Sequence, residues 1–318
     1  MDRSPLPRAV GLALMLALAA AACGGGQAAS RQQPSATTGQ TPFPVTVKAA
    51  NGPVVIEDRP ERIVSLSPTA TEMLFAIGAG DKVVAADQYS DYPPQAPTTK
   101  LSGYQPNVEA IAKYNPDLVV VYYDANGVVK LLEKLSIPVL LEPAAETLDD
   151  AYAQIEQLGV GTGHPAEATH LVASMKSRIH RLVASAPKFS RGLTYYQELD
   201  QNYYAASSSS FIGEIYGLLG LRNIADQAKS AARGYPQLSA EYIIKADPDV
   251  IFLADAKCCG QSAKTVAQRP GWDRIAAVRD GAVFGLDDDL VSRWGPRVVD
   301  FLETVIQDLS RLHERLGS

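Results

Sequence analysis

Arg62-Ile-Val-Ser-Leu-Ser-Pro-Thr-Ala-Thr-Glu-Met-Leu-Phe-Ala-Ile-Gly78 is the stretch that decides the fold class. Residues 62–66 form a short apolar run with β-branched members, the pattern of a buried strand. Ser67 and Pro68 end that run, and residues 69–77 then read as a helix stopped by Gly78. A strand that turns straight into a helix is the unit of a parallel sheet, because a parallel neighbour is reached only through a crossover. Outward from it the unit recurs. Strands are predicted at 82–86, 117–122 and 137–141, with a helix at 126–135 and a hairpin centred on Asn51-Gly52 upstream. One long helical pattern runs from His164 to about Pro187. Strands at 193–198, 250–253 and 282–286 follow, with helices at 211–219 and 297–316. The expected fold is α/β: two Rossmann-like lobes joined by one long interlobe α-helix, with a ligand cleft between the lobes at the strand ends. The lobes are expected at 43–163 and 189–318, with the joining helix at 164–188.

Composition narrows the function. The 318 residues are 46% hydrophobic, which excludes a disordered chain, and carry a net charge of −6, which argues against nucleic acid as a partner. Three cysteines cannot build a disulfide scaffold. The front end gives an address. Arg3 and Arg8 precede an unbroken small and apolar run from Ala9 to Ala22, which ends at Cys23. Such a run suits a signal peptide and is short for a membrane span. Residues 1–22 are therefore expected to be a signal peptide. Small residues before Cys23 suit a lipoprotein signal peptidase, although Ala20 stands where leucine is usual. The alternative is an ordinary secretory peptide; either way the protein is exported. Residues 23–42, rich in Gly, Ser, Thr and Gln, read as a flexible linker to the lipid anchor.

Candidate functional residues come next. Glu72 falls three places after Thr69, as in a capping box, and Glu214 lies in the first turn of a second-lobe helix after Ser207-Ser-Ser-Ser210. One exposed acid per lobe would make a pair of handles for a basic partner. Fourteen tyrosines against seven phenylalanines bias the aromatics toward polar rings. Tyr89, Tyr92, Tyr104, Tyr122, Tyr123, Tyr203 and Tyr204 fall in loops just past predicted strands, where they could stack on a flat, partly polar ligand or supply a phenolate to iron(III). Cys258-Cys259 could close a vicinal ring, stay reduced or pair between chains, and reads as a rigid turn beside the cleft. The four histidines lack ligand spacing, and no nucleophile elbow, Walker loop or dinucleotide fingerprint is present. No catalytic residue, metal set or cofactor is nominated.

The stretch 62–80 resembles the opening of the solute-binding proteins that serve ABC importers of cobalamin, haem and ferric siderophores. Tyr89-Ser-Asp-Tyr-Pro-Pro94, Asn107-Val-Glu-Ala-Ile111, Asn115-Pro-Asp-Leu-Val119, Gly220-Leu-Arg-Asn223, Arg269-Pro-Gly-Trp-Asp273 and Gly295-Pro-Arg297 continue the likeness in order. The resemblance implies a lipid-anchored binder, not an enzyme, on the outer face of the cell membrane. It would act as a monomer with an ABC permease and its ATPase. It implies that an acid on each lobe meets permease arginines, with Glu72 as the first and Glu214 standing in for a position held here by Gly217. It also implies a ligand that is a corrinoid, or else a ferric siderophore or haem; a ligand sensor without transport is the distant alternative. Tyr89 to Ala96 is similar to a corrin-stacking segment, Tyr122 falls where such proteins carry an aromatic, and Asp289 matches an acid that bonds corrin amides. Arg293 and Trp294 complete the expected site. A tryptophan of the family is replaced near Gly103 by glycine with Tyr104 beside it.

Overall fold

The computed structural model describes residues 42–229 and 231–317. The expected signal peptide, Cys23 and all but the end of the linker lie outside them. Among the described residues no helix is long and apolar enough to cross a membrane.

The chain opens with a hairpin, β1 (Val45–Ala49) and β2 (Gly52–Ile56). The first lobe follows as β3 (Ile63–Leu66), α1 (Pro68–Ala76), β4 (Val83–Asp87), β5 (Thr98–Leu101), α2 (Val108–Ala112), β6 (Leu118–Val121), α3 (Val128–Glu133) and β7 (Val139–Leu141). Its sheet is parallel, in the order β5-β4-β3-β6-β7. Every residue of β3 and of β6 is buried, because both faces of a doubly wound sheet are covered. The sheet order reverses between β3 and β6, so the connections that leave their carboxyl ends part in opposite directions and leave a crevice. At the far edge the hairpin protects β7: the Asn51 amide donates to Val139 O (3.0 Å) and accepts from Leu141 N–H (3.1 Å). That occupies backbone groups an edge strand would otherwise leave open.

Two helices leave this lobe. α4 (Leu148–Thr162), which the periodicity reading left unassigned, is capped by Thr147 with Asp150 returning the bond. α5 (Pro165–Ser185) is the long interlobe helix. The pair cross closely at Gly159, where an added Cβ would lie 2.4 Å from that of Ala168. At 1.5 Å per residue α5 spans about 30 Å, and its Arg178 pairs with Asp300 and Glu303 of the C-terminal helix Val298–Leu316. The second lobe comprises β8 (Thr194–Glu198), α6 (Phe211–Gly217), β9 (Arg222–Asn223), β10 (Val250–Leu253) and β11 (Val283–Gly285), again parallel, in the order β11-β10-β8-β9. Part of the tyrosine surplus is spent here as core: Tyr195 and Tyr216 meet at 4.4 Å between centroids, and Tyr216 stacks on Phe252 at 4.9 Å.

The lobes are tied by buried ions. Ser67, not Thr69, caps α1, accepting from Ala70 N–H at 3.1 Å. Glu72 is thereby freed from the expected capping box, and it is only 3% exposed. Its carboxylate accepts from Arg293 Nη1 (2.9 Å) and from Arg297 Nε (2.8 Å) and Nη2 (2.6 Å), across a sequence gap of more than 200 residues. Arg293 also donates to Asp91 (2.9 Å), Asp289 (2.8 Å) and Tyr89 O (3.0 Å). Glu214 is half-buried and accepts from Leu148 N–H at the start of α4 (2.8 Å). The expectation of two exposed handles is thus corrected. Both acids face the other half of the molecule, because the second lobe presents two arginines to α1 and α6 packs against α4's first turn. Gly217 is exposed and has open space around it.

Two predictions follow from this packing. Glu72→Ala leaves two arginines without their shared acceptor and should cost about 3–5 kcal/mol in urea unfolding, whereas Glu214→Ala should cost about 1 kcal/mol; equal small losses would show that the ion cluster does not hold the lobes. Glu142, at the end of β7, is buried with one oxygen unpartnered, and burial pushes its carboxyl up to about 8. The folded state therefore holds this proton where the unfolded chain has lost it, so stability falls as pH rises from about 5 to 8. Asp255, raised to about 7, acts in the same direction. Glu142→Gln should flatten the fall in melting temperature between pH 5.5 and 8; a parallel fall in both proteins would refute the assignment.

Candidate functional site

The crevice at the switch point is a cavity of about 330 Å³. One wall comes from the first lobe: Ser67 and Thr69 at the start of α1, Asp87 at the end of β4, and Tyr89, Tyr104 and Tyr122. Asp289, Ser292, Arg293 and Trp294 close it from the second lobe. Tyr89, Tyr104 and Tyr122 form a run of edge-to-face rings, with centroids 6.4 and 5.5 Å apart. Tyr89 and Tyr104 are 53% and 64% exposed, so faces of both rings are open to a ligand. Large aromatic area left in water beside a cavity is an apolar binding surface with polar tips.

Polar groups set the floor. Asp87 is 1% exposed, and its Oδ1 accepts from Tyr89 N–H (3.1 Å) and Ser90 Oγ (2.9 Å). Burial raises its pKa against those bonds. Burial, then Tyr104, then Asp87 push the Tyr122 phenol far up, so its hydroxyl is kept neutral. Gly103 lies between the two, and an added Cβ would come within 2.5 Å of Leu66 O and 2.8 Å of the Tyr122 ring. Trp294 stands across from them, its Nε1 donating to Gln154 of α4 (2.8 Å). Asp289 accepts from Arg293 and from Lys257 Nζ (2.5 Å). Lys257 belongs to the exposed turn Ala256–Cys259, in which Cys258 and Cys259 form a vicinal disulfide, and Asp288 accepts from the Lys257 and Cys258 N–H groups.

Of the residues nominated from sequence, Tyr89, Tyr104, Tyr122, Asp289, Arg293 and Trp294 come together here. Arg293 lines the cavity and is at the same time a lobe tie, with Nη1 on Glu72 and Nη2 shared among Tyr89 O, Asp91 and Asp289. Three tyrosines are placed elsewhere. Tyr92 lies under the Arg297 guanidinium at 4.0 Å and lines a different cavity, against Phe75, Leu171 and Met175. Tyr203 stacks on Trp272 (5.7 Å) in the second lobe, where the motif around Arg269 packs beneath it. Tyr123 is exposed at the rim, 6.5 Å from Tyr122, and lines no part of the cavity. Sequence reasoning missed Asp87, whose only signal was an acid ending a buried strand just before the tyrosine segment. It also missed a polar cavity lined by Glu146, Ser209, Ser210, Arg233 and Tyr235.

Comparison with known proteins agrees with this architecture. The periplasmic binding protein family matches residues 63–290. An uncharacterised ABC transporter substrate-binding lipoprotein of Bacillus subtilis is 32% identical over 308 residues, covering 93% of this chain and 95% of that protein. A cobalamin-binding protein of Halobacterium salinarum is 31% identical over 268 residues, covering 81% of this chain and 72% of its own. Among solved structures, a possible iron-binding, periplasmic solute-binding protein of Staphylococcus epidermidis superposes with a TM-score of 0.69 at 27% identity, covering 79% of this chain and 99% of that one. The chain therefore belongs to the periplasmic binding protein family, as a substrate-binding protein of the ABC-import type.

Proposed function

We propose that this chain is a lipid-anchored, extracytoplasmic binding protein that captures a corrinoid and hands it to an ABC permease driven by its ATPase. The observation that carries the reading is the Tyr89–Tyr104–Tyr122 wall facing Asp289 and Trp294 across the lobe seam. A broad macrocycle with amide arms needs such a surface: open rings for its face and polar groups at the edge. The likeness to a cobalamin-binding protein supports the same choice. A ferric chelate is the second reading, favoured by the iron-binding protein of like fold; the neutral Tyr122 hydroxyl serves a hydrogen-bonded ligand better than it serves as a phenolate. Signal peptide 1–22, anchor Cys23 and linker 23–42 complete the proposal. With Glu72 and Glu214 engaged inside the molecule, docking on the permease falls to acids left exposed on the first lobe. Glu109, exposed in the first turn of α2, is such a group.

Cyanocobalamin, haemin and a ferric hydroxamate titrated in parallel, followed by tryptophan quenching and visible absorbance, test the ligand. Cobalamin alone should bind below micromolar concentration; a phenolate-to-iron band with haemin or the hydroxamate would move the protein to iron acquisition. Tyr89→Ala and Tyr104→Ala should each weaken binding by about 1–3 kcal/mol, while Tyr203→Ala should leave affinity unchanged. Glu109→Arg should lower uptake by cells about tenfold with ligand affinity intact; unaltered uptake would place docking on another surface.

A further inference from the structure

Two polar groups on the cavity floor have bonding capacity that the fold does not use. Asp87 satisfies one carboxylate oxygen internally, and among the described residues no basic side chain pairs with it. Its nearest cation in the cavity wall, Arg293, is already shared by Glu72, Asp91 and Asp289. The Tyr122 hydroxyl is buried without a hydrogen-bond partner. Both groups converge on Gly103: a Cβ there would lie 2.8 Å from the Tyr122 ring and 3.1 Å from Asp87 Oδ2. With Leu66 O only 2.5 Å from that point, the Gly103 backbone packs directly against both groups, which line the same cavity. A buried O–H left unmade costs more than an ordinary hydrogen bond returns, so its natural complement is a ligand group.

An O–H donor beside a carboxylate acceptor matches a group that carries an acceptor and a donor on one carbon, which is the primary carboxamide. Its carbonyl oxygen accepts from Tyr122, and its N–H donates to Asp87. A carboxylate meets only half of that pattern and places like charge against the buried Asp87. We propose that Asp87 and Tyr122, either side of Gly103, form a carboxamide-receiving floor that selects amide-bearing cargo and rejects the corresponding carboxylate. This rests on the reading of the cleft as a corrinoid site, since a corrin ring is rimmed with primary amides.

The test uses the purified full-length protein with cobalamin and with the separated isomers in which one peripheral amide is hydrolysed to a carboxylate. At least one isomer should bind wild type about tenfold or more weakly than cobalamin, and Asp87→Asn should shrink that gap to within about threefold. Tyr122→Phe, which keeps the ring, should weaken cobalamin about three- to tenfold. The Asp87→Asn/Tyr122→Phe double variant should lose less than the product of the single losses, because one amide bridges both groups. Thermal melts of all variants check that folding is retained. Isomers that all bind like cobalamin, or a gap unchanged in Asp87→Asn, would overturn the proposal while leaving the corrinoid reading intact. If wild type binds no corrinoid, that reading fails by itself, and haemin, a dicarboxylate, then decides the floor. Haemin binding that rises about tenfold in Asp87→Asn upholds charge rejection, and tight haemin binding indifferent to the substitution overturns it.

Discussion

The ion cluster of Glu72 with Arg293 and Arg297 is the constraint on which the cleft depends. A carboxylate withdrawn from water is costly, and the cost is offset only when its lone pairs are well filled. Glu72 fills both oxygens from two guanidinium groups, and Arg293 turns its Nη2 to Asp91, Asp289 and the Tyr89 carbonyl. Acids from one lobe and arginines from the other are therefore satisfied only in one relative placement. The Trp294–Gln154 and Glu214–Leu148 bonds agree with that placement at other points of the seam.

Because the clamp lies directly beneath the cavity, its geometry is the geometry of the site. Arg293 and Asp289 lie one helical turn apart and are bonded to each other, so the acid that faces the ligand is held by the residue that joins the lobes. Tyr89 is gripped through its own carbonyl by the same arginine. The aromatic wall thus arrives preformed, which lowers the ordering cost of binding.

Legibility varied with the range of the cause. The strand–turn–helix at 62–78 was readable because β-branched residues, Ser67-Pro68 and Gly78 act on their own backbone. The hairpin at Asn51-Gly52 was readable for the same reason. α4 carried a cap at Thr147 and apolar residues at Leu148, Ala151, Ile155 and Leu158, yet Gly159, Gly161 and Gly163 interrupt the pattern near its end. Gly159 answers to close approach by α5 and Gly161 to the hairpin and β7, which no local pattern encodes, while Gly163 ends the helix in the left-handed region. Tyr92 and Tyr203 were misplaced because a tyrosine after a strand looks alike whether its ring turns to the cleft, to Arg297 or to Trp272.

The sequence by itself determined the class of fold, the alternation of strands and helices, the long helix between lobes and the family likeness. The first three arise from periodicity and turn chemistry within a few residues, where backbone geometry leaves little choice, and the likeness rests on the resemblance of motifs spread from 62 to 297. Only the tertiary structure decided that Glu72 faces inward, that Asp87 and Tyr122 meet across Gly103, and which tyrosines share one cavity. Those relations join residues tens to hundreds of positions apart. They depend on how two sheets pack across a seam, and burial and charge pairing settle that only once the whole chain is assembled.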